Sequence, residues 1–179
     1  MAATQHTLKF RKNVYGSGML VREYPEGASE TYKKGSILVY DLSENGVAET
    51  AVSSGVPAAQ DFLGLALEDA SGVTAQVQDV QIPRPGDIFS CSLASDQDTL
   101  VIPTLDHIGT LVGLILLSST GGRGDEYVAD TGNTNWAKIV DIDPQDLARR
   151  GGLVASLAAG DRVLIQFLGS ILDADGQVA

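Results

Sequence analysis

A chain of 179 residues, 44% apolar and 20% charged, is long enough to bury one good core, too short for two ordinary domains and too apolar to stay disordered. Its formal net charge of −11 works against sequence-independent binding to nucleic acid, because neutralising phosphates needs a Lys/Arg surface. Cys91 is the only cysteine, which excludes an intrachain disulfide and a thiolate metal cluster within one chain.

Twenty glycines and short runs of Thr, Val, Ile and Leu, with few long helical patterns, point to an all-β fold. HTLKFRKNVY, residues 6–15, alternates apolar and polar side chains until Gly16 and Gly18 break it, and MLVREY, residues 19–24, is a second strand. Pro25, Glu26 and Gly27 supply a turn, and SILVYDL follows the KKG of Lys33, Lys34 and Gly35. Residues 43–60 are small and polar and read as a surface loop. Residues 61–93, DFLGLALEDASGVTAQVQDVQIPRPGDIFSCSL, read as three short buried strands. Gly64 interrupts the first of them, which marks a bulge, a bend or a close backbone approach. Pro83 and Pro85 place a corner or an edge before the third. There Ile88, Ser90 and Ser92 alternate with Phe89, Cys91 and Leu93.

Residues 108–119, IGTLVGLILLSS, form a long buried strand followed by the turn TGGRGD, and WAKIVDID, residues 136–143, is a further strand. One helix is predicted next. Asp143 caps it, Pro144 suits its first position, Asp146 favours its positive end, Arg149 and Arg150 its negative end, and Gly151 closes it. GDRVLIQFLGSIL, residues 160–172, is the last strand, and DADGQVA frays as a tail. The expected organisation is an extended N-terminal segment with short strands and a loop over 1–60 and a barrel body over 61–172. Within that body, 121–152 is expected to face outward as an insertion, and 173–179 is the tail.

No residue pattern calls for catalysis. Cys91 sits among strand residues as a small buried hydrophobe, and His6 and His107 lie in no motif that would make either a partner or a zinc ligand. Glu68 and Asp69 are strand neighbours and point to opposite faces, so they do not pair as general acid and base. Asp130, Asp141 and Asp143 lie in an acidic stretch without the order of a calcium loop. Arg123, Gly124 and Asp125 read as a turn rather than an adhesion motif. No phosphate loop, G-x-S-x-G or dinucleotide fingerprint occurs, so no enzyme, metal or cofactor is expected. MAATQHTLKF has no apolar core of a secretory signal, and the longest apolar run, LVGLILL, is far short of a membrane span, so synthesis in a cytoplasm and no membrane partner are expected.

The Gly-apolar-Ala-apolar-Glu-Asp-Ala strand of residues 64–70, the small turn, the alternating strand and the GD-initiated strand together resemble the capsid decoration, or cement, proteins of tailed bacteriophages over residues 61–94. The resemblance implies a compact barrel, jelly-roll-like or β-tulip-like, on the outer capsid surface of the virion. It further implies homotrimers on three-fold and quasi-three-fold axes, each copy bridging subunits of the major capsid protein. Lys9, Arg11, Lys12, Lys33 and Lys34 are then the candidate contacts to the shell or to a neighbouring protomer. A sugar-binding β-sandwich module on a fibre or cell surface is the alternative, with Trp136 and Tyr127 as the stacking platform it would need.

Overall fold

The computed structural model describes residues 8–16, 18–49, 52–53, 56–57, 62–118, 126–133 and 136–169. It is nearly all β. The strands are β1 (Lys9–Asn13), β2 (Val21–Pro25), β3 (Ile37–Asp41), β4 (Gly46–Glu49), β5 (Val52–Ser53), β6 (Val56–Pro57), β7 (Phe62–Ala66), β8 (Val77–Gln81), β9 (Asp87–Ala94), β10 (Leu111–Leu116), β11 (Tyr127–Asp130), β12 (Ala137–Ile142) and β13 (Arg162–Phe167). Helix α1 (Pro144–Arg149) is the one α-helix among the described residues.

Five strands close a barrel through the ring of pairings β9–β11–β10–β12–β13–β9. Alternation along each stave explains its filling. Phe89, Cys91 and Leu93 of β9, Val112 and Leu114 of β10, and Val163, Ile165 and Phe167 of β13 all join one buried core. Every residue of β9 is buried, and its first half also carries β1 in antiparallel register. The two faces read from GDIFSCSL are the two faces found.

A second antiparallel sheet has the order β2–β8–β7–β3–β4. Its outer strands meet through a single parallel bridge, Glu26 with Val47, where Gly27 N donates to Val47 O at 2.9 Å. Gly46 permits this approach, since a Cβ there would lie 2.6 Å from Gly27 N. Glu26 is fully buried at the seam, and its carboxylate accepts from Ser71 N at 2.8 Å, Gly72 N at 2.6 Å and Gln78 Nε2 at 2.7 Å. Three donors compensate a charge that burial would otherwise make costly.

A bulge joins the two sheets. In the pairing of β3 with β7, Ile37 faces Leu65, Leu38 faces Gly64 and Val39 faces Phe62, so Leu63 is the extra residue. Phe62 and Leu65, three positions apart, therefore both enter the barrel core with Ile37, while Leu38, Ala66 and Val80 form a separate core with Tyr32 and Val47. Phe62 lies 5.3 Å from Trp136 and 5.2 Å from Phe167, ring centre to ring centre. A Cβ at Gly64 would lie 2.4 Å from Gln81 O, so the glycine marks a close backbone approach beside that bulge.

Two parts of the expected organisation are corrected. The short strands read over 19–24 and after Gly35 are found as β2 and β3, and with β4 they make up three of the five strands of the second sheet. The stretch read as a loop over 43–60 contains β4 and the β5–β6 ribbon, and its other residues from 50 onward lie outside the described residues. The region 121–152 is not an outward-facing insertion, because β11 and β12 are two staves of the barrel. β11 also pairs with the distant β9, and β12 with β13, and pairing at that range leaves no local mark of where in the fold a strand belongs. The predicted helix is found: Asp143 accepts from Gln145 N at 2.9 Å, Pro144 opens the helix, and Gly151 follows it at φ 76°. The tail 173–179 lies outside the described residues.

Candidate interaction surface

The register of β1 against β9 decides where the basic N-terminal residues go. Lys9 faces Ser90, Phe10 faces Phe89 and Lys12 faces Ile88, which makes Arg11 the extra residue of a bulge. Without it, Lys9 and Lys12 would stand on opposite sides of the sheet. With it, both stand on the outer side, because Phe89 points into the barrel and Ile88 and Ser90 point away. Arg11 Nε donates to Ser90 Oγ at 3.0 Å and so shares that side. The same outer row continues from Ile88 through Gln166 of β13 to Lys138 of β12 and Leu111 of β10.

Next to this wall, α1 builds an alternating chain of charges. Arg11 meets Asp143 at 2.5 Å, and Arg162 approaches Asp143 at 3.7 Å and binds Asp146 at 2.7 Å. Arg149 joins Asp146 at 3.1 Å to Asp161 at 2.5 Å, and Arg150 ends the series on Asp161 at 2.9 Å. All three carboxylates are buried. Burial pushes the Asp146 carboxyl up, but hydrogen bonds and charge from Arg162, with the charge of Arg149, outweigh it and hold it below the usual carboxylate range. Asp161 behaves alike: burial raises it, and the donors Arg150, Ala158 N and Arg149 bring it below its ordinary value. The arginines of the helix end were legible as dipole partners. Their engagement with Asp161, beyond the helix, was not.

The other predicted site residues are dispersed. Lys33 and Lys34 lie in the turn before β3, where Lys34 N donates to Asp69 at 2.9 Å and Lys33 Nζ sits 3.6 Å from the same carboxylate. They belong to the second sheet, not to the wall of Lys9 and Lys12. Trp136 and Tyr127 are only 2% and 1% exposed, so neither offers the open ring face that sugar stacking requires. That placement corrects the platform reading. Trp136 packs on Phe62, and the Tyr127 hydroxyl donates to Glu49 Oε1 at 3.1 Å across to the second sheet.

Cys91 is wholly buried and its thiol is pushed up to about 12, with desolvation as the main cause. His107 Nδ1 accepts from Thr104 N at 3.0 Å in a 3-10 turn. Asp130 closes its own turn by accepting from Gly132 N at 2.8 Å and Asn133 Nδ2 at 2.5 Å, while Asp143 is a helix cap. No group of three or more His, Cys, Asp or Glu residues suited to a metal ion occurs among the described residues. His6 and the Arg123–Gly124–Asp125 turn lie outside them. No helix of the described residues is long and apolar enough to cross a membrane.

Around the 3-10 turn of Leu105–His107, the apolar side chains of Ile102, Leu105, Ile108 and Leu111 are exposed. Comparison of the chain with protein-family models, with curated proteins and with solved structures found no match.

Proposed function

We propose that the chain is a capsid decoration protein of a tailed bacteriophage, binding the outer surface of an icosahedral head as homotrimers and tying neighbouring major capsid subunits together. The observation that carries the reading is the place of the residues on which the resemblance rests. β7 and β8 are paired neighbours in the second sheet, and Phe62 and Leu65 of β7 share the barrel core with Phe89, Cys91 and Leu93 of β9, so the stretch spans both sheets. Exposed features suited to gripping another polypeptide supply further support: the outer wall with Lys9 and Lys12, and the apolar series from Ile102 to Leu111. Three-fold repetition would turn weak single contacts into a durable clamp, since each additional contact on a fixed lattice forms at high effective concentration.

Binding to phage heads stripped of their outer proteins tests this. Saturable rebinding at about 1 µM protein is expected, with copy numbers in multiples of three and a higher melting temperature of the shell. Failure to bind at roughly ten times that concentration would refute the proposal.

A further inference from the structure

We infer that copies of this chain associate head to tail, the cationic barrel wall of one copy docking on an acidic strand pair of the second sheet of the next. This deepens the proposed function by placing the contact between protomers, and it rests on that reading only for the number of copies in the ring.

The wall is an anomaly of charge. On a chain of net charge −11, Lys9, Lys12 and Lys138 stand exposed on the outer side of the barrel sheet, beside four arginines that already outnumber the three aspartates they bind. One further carboxylate, Asp141, lies exposed on the same wall. The bulge at Arg11 is what gathers Lys9 and Lys12 on one side, where regular pairing would have separated them.

The acidic counterpart is an anomaly of pairing. Glu23 of β2 lies directly opposite Asp79 of β8, both exposed, and like charges across a ladder oppose its formation. Glu68 adds a third exposed carboxylate, its Oε1 3.4 Å from Asp79 N. Val21 and Val77 are exposed on this same face, by the alternation that puts residues 21 and 23, and 77 and 79, on one side. Each face thus combines an excess of one sign of charge with exposed apolar groups, since Leu111 stands exposed opposite Lys138 on the wall. Two different surfaces that complement each other make a heterologous contact. Repeated, it closes into a ring when the rotation allows, and every copy then gives its wall and receives on its strand pair.

Sedimentation of the purified full chain tests this without any phage head, so a failure here and a failure of head binding are separate results. An oligomer is expected at about 50 mM salt, with association weakened roughly tenfold or more at about 500 mM. The triple reversals K9E/K12E/K138E and E23K/E68K/D79K should each give monomers with unaltered circular dichroism, since all six side chains are exposed. Mixing the two reversed proteins should restore association, and so should combining all six changes in one chain. A monomeric wild-type protein at about 200 µM and low salt would overturn the inference, as would association indifferent to both reversals. Monomeric wild-type protein retained on a phosphate polymer through Lys9, Lys12 and Lys138 would also overturn it, and would assign the wall to a polyanion instead.

Discussion

Replacing Trp136 by alanine is expected to lower the unfolding free energy by about 3–5 kcal/mol, the range for removing a large aromatic side chain from a packed core. The indole is buried where the second sheet meets the barrel, 5.3 Å from the Phe62 ring and 6.5 Å from Phe167. Its backbone is fixed on both sides, because Trp136 N donates to Val112 O and Leu168 N donates to Trp136 O. The walls of the resulting hole therefore have little freedom to collapse, and the cost includes the cavity as well as the lost transfer energy. Urea unfolding followed by far-UV circular dichroism measures it, since the variant has lost the chain's only tryptophan as a fluorophore. A fall in the midpoint at unchanged slope is the expected form. Leu153→Ala, at an exposed position, should change stability by less than about 0.5 kcal/mol. A loss below about 1 kcal/mol for Trp136→Ala would show that the ring is not where the core closes.

The second large effect is expected at Asp146. Its carboxylate accepts from Arg162 at the backbone N (2.9 Å), at Nε (2.7 Å) and at Nη2 (3.0 Å). Asp146→Ala leaves the mostly buried guanidinium of Arg162 with Asp143 at 3.7 Å as its remaining ion-pair partner, so a loss of about 3 kcal/mol or more is expected. The sign with pH follows from direction. Asp146 and Asp161 titrate below their ordinary values, so their contribution is complete above the unfolded carboxylate pKa of roughly 4 and is lost as pH falls through the lower folded values. Glu30 runs the other way. Burial, then the charges of Glu26, Glu49 and Asp41, raise it against one backbone donor, so what it contributes is present below the unfolded pKa and lost as pH rises through the folded one. Acid unfolding of the wild-type protein should therefore begin below about pH 4 and flatten in Asp146→Ala, read as midpoint against pH. An unchanged pH profile in the variant would show that the arginine chain does not hold β1, α1 and β13 together.

What the sequence made legible was local chemistry. Asp143, Pro144, Arg149 and Gly151 mark the helix because capping and the helix dipole act within a few residues. The alternation in residues 87–94 separates two faces because side chains on a strand alternate, whatever the strand pairs with. Long-range pairing left no such mark. Nothing near Glu26 foretells Val47, and nothing near Asp161 foretells Arg149. The bulges at Arg11 and Leu63 each shift side chains to the other face of a strand, and only the register of the neighbouring strand reveals them. Trp136 was legible as an aromatic next to a turn, which suits an exposed platform as well as a core. Phe62 and Phe167, both distant in the chain, decide between the two.

The isolation of Cys91 gives the molecule a built-in clock. Its sulfur is enclosed in the barrel core on β9, with the thiolate disfavoured at neutral pH, so a maleimide or disulfide reagent must wait for the barrel to open. The alkylation rate then follows the global opening equilibrium and not local fraying. A single labelling time course would time how often the barrel comes apart, alone or seated among its neighbours.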